Sequence, residues 1–479
     1  MPPTLKYDPG DTAKFWENIT ALPGFPKDDY IPLRQMIFQS DAIYEIPTVL
    51  EKMGVSRKNP ILFVMDATPM NRCGQELKPI VLRFLHEDGW QIEPVILLPD
   101  ASGQVHTEMP RIHAIQHRIQ PEFGVISLGS GVVTDITKHA CFLFEQSSGI
   151  HIPYLVIQTA NSVSAFTSNM APVFMDGVKR TLPSRYPDAL ICDLETLRDA
   201  PLEMTLAGVG DMLAAFVSLA DWYLAFQLGM DDTYNPLPQT LLENLYDVLL
   251  AAAPDIRTPT PQGMEILAKV IALGGLAMSL AHATTPLSGY EHVISHILDL
   301  VNERTGAPLA MHGTQVSLAT ILASRAYQIF LQQFDPYQIN PQQCYPTAEH
   351  MQQLIQKTFA VIDPSGSAAA ECWSDYKLKL ENWQKNQPAL IKFIQEWDQI
   401  KTKLHQLTRP AEDIERILRA VNAPVQFSQC QPPLDETRVR YAFMSAPLMR
   451  KRLTLGDVLI FFRWNRDQLW KQIWEEEPI

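Results

Sequence analysis

The hydrophobic positions change period once along the chain. Between residues 60 and 193, short unbroken apolar runs recur, each followed by polar and apolar positions at helical spacing. The runs are 60–66 (PILFVMD), 92–99 (IEPVILLP), 123–128 (FGVISL), 154–159 (YLVIQT) and 189–193 (ALICD). Helical stretches are predicted at 41–53, with Ile43, Ile46, Val49, Leu50 and Met53 on one face, at 75–86, at 107–120 and from the 129–131 glycines to 144. Continuous apolar strands alternating with helices predict a mostly parallel sheet covered on both faces. From about residue 202 the strand-like runs stop. In 206–227, Met212, Leu213, Phe216, Leu219, Ala220, Tyr223 and Leu224 recur at three and four, predicting an amphipathic helix that begins after a Gly-x-Gly turn and carries Asp211 near its start. Further helices are expected at 262–283, through 329–410, at 416–421 and at 455–462, with a proline-marked break at 251–261. The predicted fold is therefore an α/β domain over 1–200 followed by an all-α domain over 201–479. Residues 1–40 show no clear period and read as an extension wrapped on the body.

Composition narrows the partners. Hydrophobic residues make up 46% and charged residues 19%, which suits an ordinary globular chain. A net charge of -14 argues against nucleic acid, whose phosphates want a basic surface. Six scattered cysteines without a CxxC pair suit free thiols in a reducing cytosol. No signal peptide is evident, and no apolar run reads as a membrane span. The expectation is a cytoplasmic protein with a small-molecule ligand, self-association into a homo-oligomer being left open.

Two groups of residues could carry chemistry. Gly129, Ser130 and Gly131 end a strand and open a helix, where glycines admit a pyrophosphate to free N–H groups; the same residues also suit a plain tight turn. Asp66, ending the first strand, suits either a ribose acceptor or a turn carboxylate. Asp211, His292, His296 and His312 are donors suited to Zn2+, Ni2+ or Fe2+. His292 and His296 lie one helical turn apart, and spacing alone leaves open whether they form a two-ligand arm or whether His292 pairs with His312.

Four segments in order resemble the iron-containing alcohol dehydrogenase family, in its sn-glycerol-1-phosphate dehydrogenase-like branch, within the dehydroquinate synthase-like superfamily. They are GSGVVTD at 129–135; QTANSVSAFTS at 158–168 with DGVKRTLP at 176–183; AGVGDMLAAFVSLADWYLA at 207–225; and SGYEHVISH at 288–296 with MHGTQV at 311–316. The tail LMRKRLTLGDVL at 448–459 is also similar to the family's end. The resemblance implies a dinucleotide-binding domain and a helical metal-binding domain with the active site in the cleft between them. It implies Asp211, His292 and His312 as ligands of one divalent metal, and Gly129, Ser130, Gly131 and Asp135 as the pyrophosphate turn. Thr159 and Ser168 would line the nucleotide and nicotinamide, Lys179 would lie near the cofactor and substrate, and His296 would relay protons. The implied reaction is hydride exchange between NAD or NADP and an alcohol or ketone polarised by the metal. Asp66 would favour NAD by repelling a 2′-phosphate.

The segments also depart from the family's pattern. Ser164 stands where an acid meeting the substrate is usual, Thr285 where an Arg-Pro arginine is common, Tyr290 where a small residue is usual, and Thr314 where an acid is common. Loss of an anion-binding arginine and of an acid predicts a substrate bulkier, less charged or differently oxidised than glycerol phosphate. Two other readings suit the same residues less well. A dehydroquinate synthase-like lyase or cyclase would need a denser set of Lys, Arg and His than is present. A non-catalytic ligand-binding paralogue sits poorly with an intact metal triad.

Overall fold

The computed structural model describes residues 3–100, 103–175 and 178–475. Its contacts divide the chain into two compact units. One runs up to Val209 and includes Thr240–Leu280; the other is Gly210–Gln239 together with the chain from Ala281 onward.

The first unit is built on a six-stranded parallel sheet. Its strands are β1 (Gln35–Gln39), β2 (Ile61–Asp66), β3 (Ile92–Leu97), β4 (Gly124–Gly129), β5 (Tyr154–Gln158) and β6 (Ala189–Asp193), in the order β1-β6-β5-β4-β2-β3. The inner strands β4, β5 and β6 are buried along their whole length, as unbroken apolar runs require. β3 is an edge and leaves Ile96 54% exposed. Ile46, Val49, Leu50, Leu77, Val81 and Leu85 from two helices close one face over Phe63, Ile126 and Ile157. β2 has β3 on one side and β4 on the other, so the chain direction across the sheet reverses there. In open parallel sheets, ligands bind beyond the strand C-termini at such a switch point. Asp66 ends β2 and Gly129 ends β4, in adjacent register.

Residues 1–40 are not merely an extension. A helix at Thr12–Thr20 caps the unit, and β1 pairs with β6 along its full length. Thr12 Oγ1 accepts from Met36 N at 2.9 Å, and Trp16 Nε1 donates to the Leu33 carbonyl at 2.9 Å. QMIFQ escaped notice because an edge strand alternates burial and its two ends are glutamines. An antiparallel hairpin, Met170–Met175 with Val178–Pro183, was likewise not foreseen. The 251–261 break is shorter than expected: Pro254 lies inside the helix Leu245–Arg257, and the next helix starts at Pro261.

The second unit is all helical. Tyr290–Thr305 and His312–Gln333 pack along one another, and the helices at Ala348–Phe359, Ser367–Lys385, Gln387–Gln395 and Trp397–Leu407 extend the core. Phe334 stacks on Phe462 and meets Trp397 edge-on, which ties the 329–410 region to the unit's centre.

Two helices, Leu202–Gln227 and Pro261–Leu280, are long and apolar enough to cross a membrane, contrary to the expectation that no run approaches that length. In each, 78% of the apolar window is buried inside the protein, so the apolar character is used for packing. The Gly-x-Gly of 208–210 is also not a turn. It lies within the helix Leu202–Leu213, which continues past Ala214 into Ala215–Gln227. The predicted amphipathic stripe is correspondingly lost, because nearly every residue of this span is buried.

Candidate metal centre and dinucleotide turn

Asp211 sits in mid-helix and is buried, with 7% of its surface exposed. A helix terminus is therefore not what supports its charge, and the histidines beside it are what meet the carboxylate. The helix carrying His312 comes to it because residue 210 has no side chain. A Cβ on Gly210 would lie 2.2 Å from the Gly313 carbonyl oxygen, so only glycine allows the two backbones to touch. His292 Nε2 lies 3.4 Å from Asp211 Oδ1, and His312 Nε2 lies 3.9 Å from the same oxygen. One ligand atom from each residue falls within 4.8 Å of the others. Tetrahedral ligands on a divalent ion stand about 3.3–3.6 Å apart, so the triad matches a metal's first shell with slight contraction.

The outer ring nitrogens are held so that both Nε2 atoms face Asp211. His292 Nδ1 lies 2.9 Å from Glu291 Oε1, and His312 Nδ1 lies 3.2 Å from Ser295 Oγ. Carboxylate and hydroxyl partners of this kind fix ring orientation in metal sites. Burial lowers the His292 pKa, but hydrogen bonds to Asp211 and Glu291 outweigh it and raise the pKa to about 9. The pocket therefore stabilises a cation at His292, and a divalent ion can replace the proton. Beneath it, Asp221 accepts from Tyr290 N at 2.6 Å, Tyr327 Oη at 2.6 Å and Leu455 N at 2.8 Å. Burial, then the nearby charge of Glu291, push Asp221 up to about 7.

The structure does not make His296 a third ring of the triad. Its ring stacks on His312 at 5.9 Å, and its Nδ1 lies 3.5 Å from Arg450 Nη2. Among the described residues, the close group of candidate ligands is Asp211 with His292 and His312, without His296.

In the first unit, Ser130 is extended and Gly131 opens an 18-residue helix directly after β4. A Cβ on Gly131 would come 2.6 Å from Val163 Cγ2, so glycine lets the 159–168 loop close onto the helix N-terminus. Thr159 N donates to the Gly129 carbonyl at 3.2 Å. Asp135 is buried and 2.9 Å from Lys138 Nζ, which also donates to the Ala165 carbonyl at 2.9 Å. Its carboxylate thus anchors the loop that carries Ser164 and Ser168. Ser164 starts a 3-10 turn and is buried; Ser168 Oγ accepts from Met170 N at 3.1 Å. Asp66 accepts from Thr68 N at 3.2 Å and lies 3.1 Å from Lys78 Nζ, so it is at least a turn carboxylate. Lys179 lies on the hairpin, and its side chain is outside the described residues.

The pattern of iron-containing alcohol dehydrogenases matches residues 37–201. A glycerol-1-phosphate dehydrogenase [NAD(P)+] of Bacillus subtilis is 32% identical over 277 residues, covering 57% of this chain and 68% of the relative. The chain belongs to the iron-containing alcohol dehydrogenase family. A second glycerol-1-phosphate dehydrogenase, from Halalkalibacterium halodurans, is 30% identical over 62% of this chain and 72% of its own length. Among solved structures, a probable glycerol dehydrogenase from Sinorhizobium meliloti superposes with a TM-score of 0.52 at 15% identity, over 90% of this chain and 98% of that one, which shows the shared fold. Family membership makes this a metal-dependent, NAD(P)-linked oxidoreductase, and favours neither the lyase nor the non-catalytic reading.

Against the family pattern, Tyr290 is no pocket residue. It is fully buried, and its hydroxyl donates to the Phe443 carbonyl at 2.6 Å. The turn at Thr285 does not lack a cation either. Arg452 donates to the Ser288 carbonyl and, at 2.7 Å, to Thr284 Oγ1. Glu291, Ser295, Asp221, Arg450 and Arg452 were not foreseen as contributors. The available signal was two arginines closely spaced in an otherwise apolar tail, LMRKRLTL, beside a family-like ending.

Proposed function

We propose that this family member interconverts an alcohol and a ketone, with Asp211, His292 and His312 holding one divalent ion and Gly129, Ser130 and Gly131 receiving the pyrophosphate of NAD or NADP. The reading is carried chiefly by the three ligand atoms within 4.8 Å of one another, keyed by Glu291 and Ser295. When bound, the ion, which would be Zn2+, Ni2+ or Fe2+, supplies Lewis-acid charge beside the reacting oxygen, and the nicotinamide supplies or takes the hydride. Glu291 orients His292 and Ser295 orients His312, so the triad keeps its geometry without rearrangement. His296, stacked on His312 and partly exposed, is assigned to pass the alcohol proton outward. Asp66, at the C-terminal end of β2 beside Gly129, is assigned to the ribose of the dinucleotide. Ser164 and Lys179 are assigned to the substrate side and Thr159 and Ser168 to the nicotinamide side. The sheet unit is the dinucleotide domain and the helical unit the metal domain. The burial of both apolar helices favours a soluble enzyme, which we assign to the cytoplasm.

The test is nicotinamide absorbance during turnover of a panel of ketones and alcohols with metal-loaded protein. Net NAD(P)H conversion that disappears on chelation is expected. Product without net cofactor change would overturn the reading in favour of a lyase. Gly131→Ala should weaken NAD(P)H binding while leaving metal content unchanged.

A further inference from the structure

The helix that carries Asp211 meets each histidine helix twice. The first meeting is at the triad, where His292 faces Asp211 and Gly210 admits the Gly313 backbone. The second is at Asp221, ten residues further along the same helix, or about 15 Å by helical rise. There Oδ2 accepts from Tyr290 N at 2.6 Å, at the start of the helix Tyr290–Thr305 that carries His292. Oδ1 accepts from Tyr327 Oη at 2.6 Å, in the helix His312–Gln333, and from Leu455 N at 2.8 Å. One carboxylate thus joins both histidine helices to the helix that bears the third ligand.

The place is built for a carboxylate. Asp221 is only 2% exposed. A Cβ on Gly289 would lie 2.6 Å from Asp221 Oδ2 and 2.9 Å from Glu291 Oε2, so residue 289 is bare where two acids converge. Glu291 Oε1 accepts from Gly289 N at 2.6 Å and also meets His292 Nδ1. The amide end of the 16-residue His292 helix carries partial positive charge, which offsets part of the charge on Asp221. Leu455 is steadied from behind, because Asp457 in the same short helix lies 2.6 Å from the buried Lys379 Nζ. The three donors to Asp221 are nonetheless neutral, and burying an acid among neutral donors costs stability. Apolar side chains would serve if adhesion were all that was needed, so the charge suits a place where directional bonds set an angle.

We propose that Asp221 is a positioning residue of the metal centre: by bonding the His292 helix through its first amide and the His312 helix through Tyr327, it sets the angle at which the two rings meet Asp211. This rests on Asp211, His292 and His312 being the ligands, and adds what holds them in place. Two attachments fix a helix in direction as well as distance. The triad alone would leave each helix free to pivot about its histidine. Asparagine cannot take over the role, because its single carbonyl oxygen offers fewer lone pairs and its NH2 group would face N–H donors.

The experiment titrates metal-free protein with Co2+, whose visible absorption bands report ligand number and angle. Wild type, Asp221→Asn, Tyr327→Phe and His292→Ala are compared, with affinity taken from competition with a chelating dye and Tm recorded for each metal-free form. Asp221→Asn is expected to bind Co2+ about tenfold or more weakly and to shift the bands. Tyr327→Phe, which leaves both main-chain bonds in place, is expected to weaken binding about threefold or more and to shift the bands less. Wild-type bands in Asp221→Asn would overturn the proposal even with a lowered Tm, since the residue would then serve the fold alone. If Asp221→Asn does not fold, Tyr327→Phe decides, and wild-type affinity and bands in that variant would overturn the proposal. His292→Ala separates the two claims. Co2+ retained in it would sink the ligand assignment, whereas Co2+ lost there but bound normally by the Asp221 and Tyr327 variants would sink the positioning role alone.

Discussion

The two units bury charge differently. In the sheet unit, buried or half-buried acids lie mostly at strand C-termini or on the adjoining helix, and each has a base: Asp66 with Lys78, Asp193 with Arg72, and Asp135 with Lys138. In the helical unit, Asp211, Asp221 and Glu291 gather around two histidines, and Asp221 titrates near 7 because burial and Glu291 both oppose its charge. The first arrangement is balanced within itself and serves the fold. The second is crowded with acid and becomes favourable when a cation enters. A neutralised charge pattern marks a scaffold here, and an acid-rich buried cluster marks the proposed metal centre.

The comparison can be broken most severely at Lys379. Burial lowers its pKa and raises that of Asp457, so neither partner tolerates loss of the other. Lys379→Met should cost about 3–5 kcal/mol in chemical denaturation. The double variant with Asp457→Leu should recover most of that loss. Full stability of the single variant would show that this buried pair contributes nothing to the helical unit.

Glu291→Gln sharpens the comparison at the triad. It keeps the shape but removes the charge behind His292, and metal affinity should fall about 10–100-fold with little change in fold. Competition with a chelating dye measures this, and unchanged affinity would remove Glu291 from the account.

The smallest effect belongs to the sheet unit. Asp188 and Glu145 raise the His151 pKa to about 9, with His151 Nε2 2.8 Å from Asp188 Oδ1. A folded pKa above the usual 6.5 means the stabilisation is complete below pH 6.5 and is lost as pH rises through about 9. His151→Gln should flatten the fall in Tm across that window. Because the ring is 46% exposed, the change should be modest.

How much of this was readable in advance follows from where the signals lie. The four inner runs and the glycine turn were legible because parallel strands buried on both faces leave unbroken apolar stretches, and the edge strand β3 was legible because its own run happens to be mostly apolar. β1 was not, since an edge strand needs only half its residues apolar. Asp211, His292 and His312 could be named from resemblance, yet the helix around Asp211 was misread. Glycines usually mark turns, and nothing local shows that Gly210 exists to admit the Gly313 backbone. Arg450 lies 154 positions from His296 and Arg452 168 from Thr284, and no periodicity reports such contacts.

The central claim is that Asp211, His292 and His312 hold one metal ion. Metal content of protein purified anaerobically, compared between the wild type and His292→Ala with matching circular dichroism, tests it most directly. The account predicts about one divalent ion per wild-type chain and a large loss in the variant. Equal metal in the two proteins would contradict it.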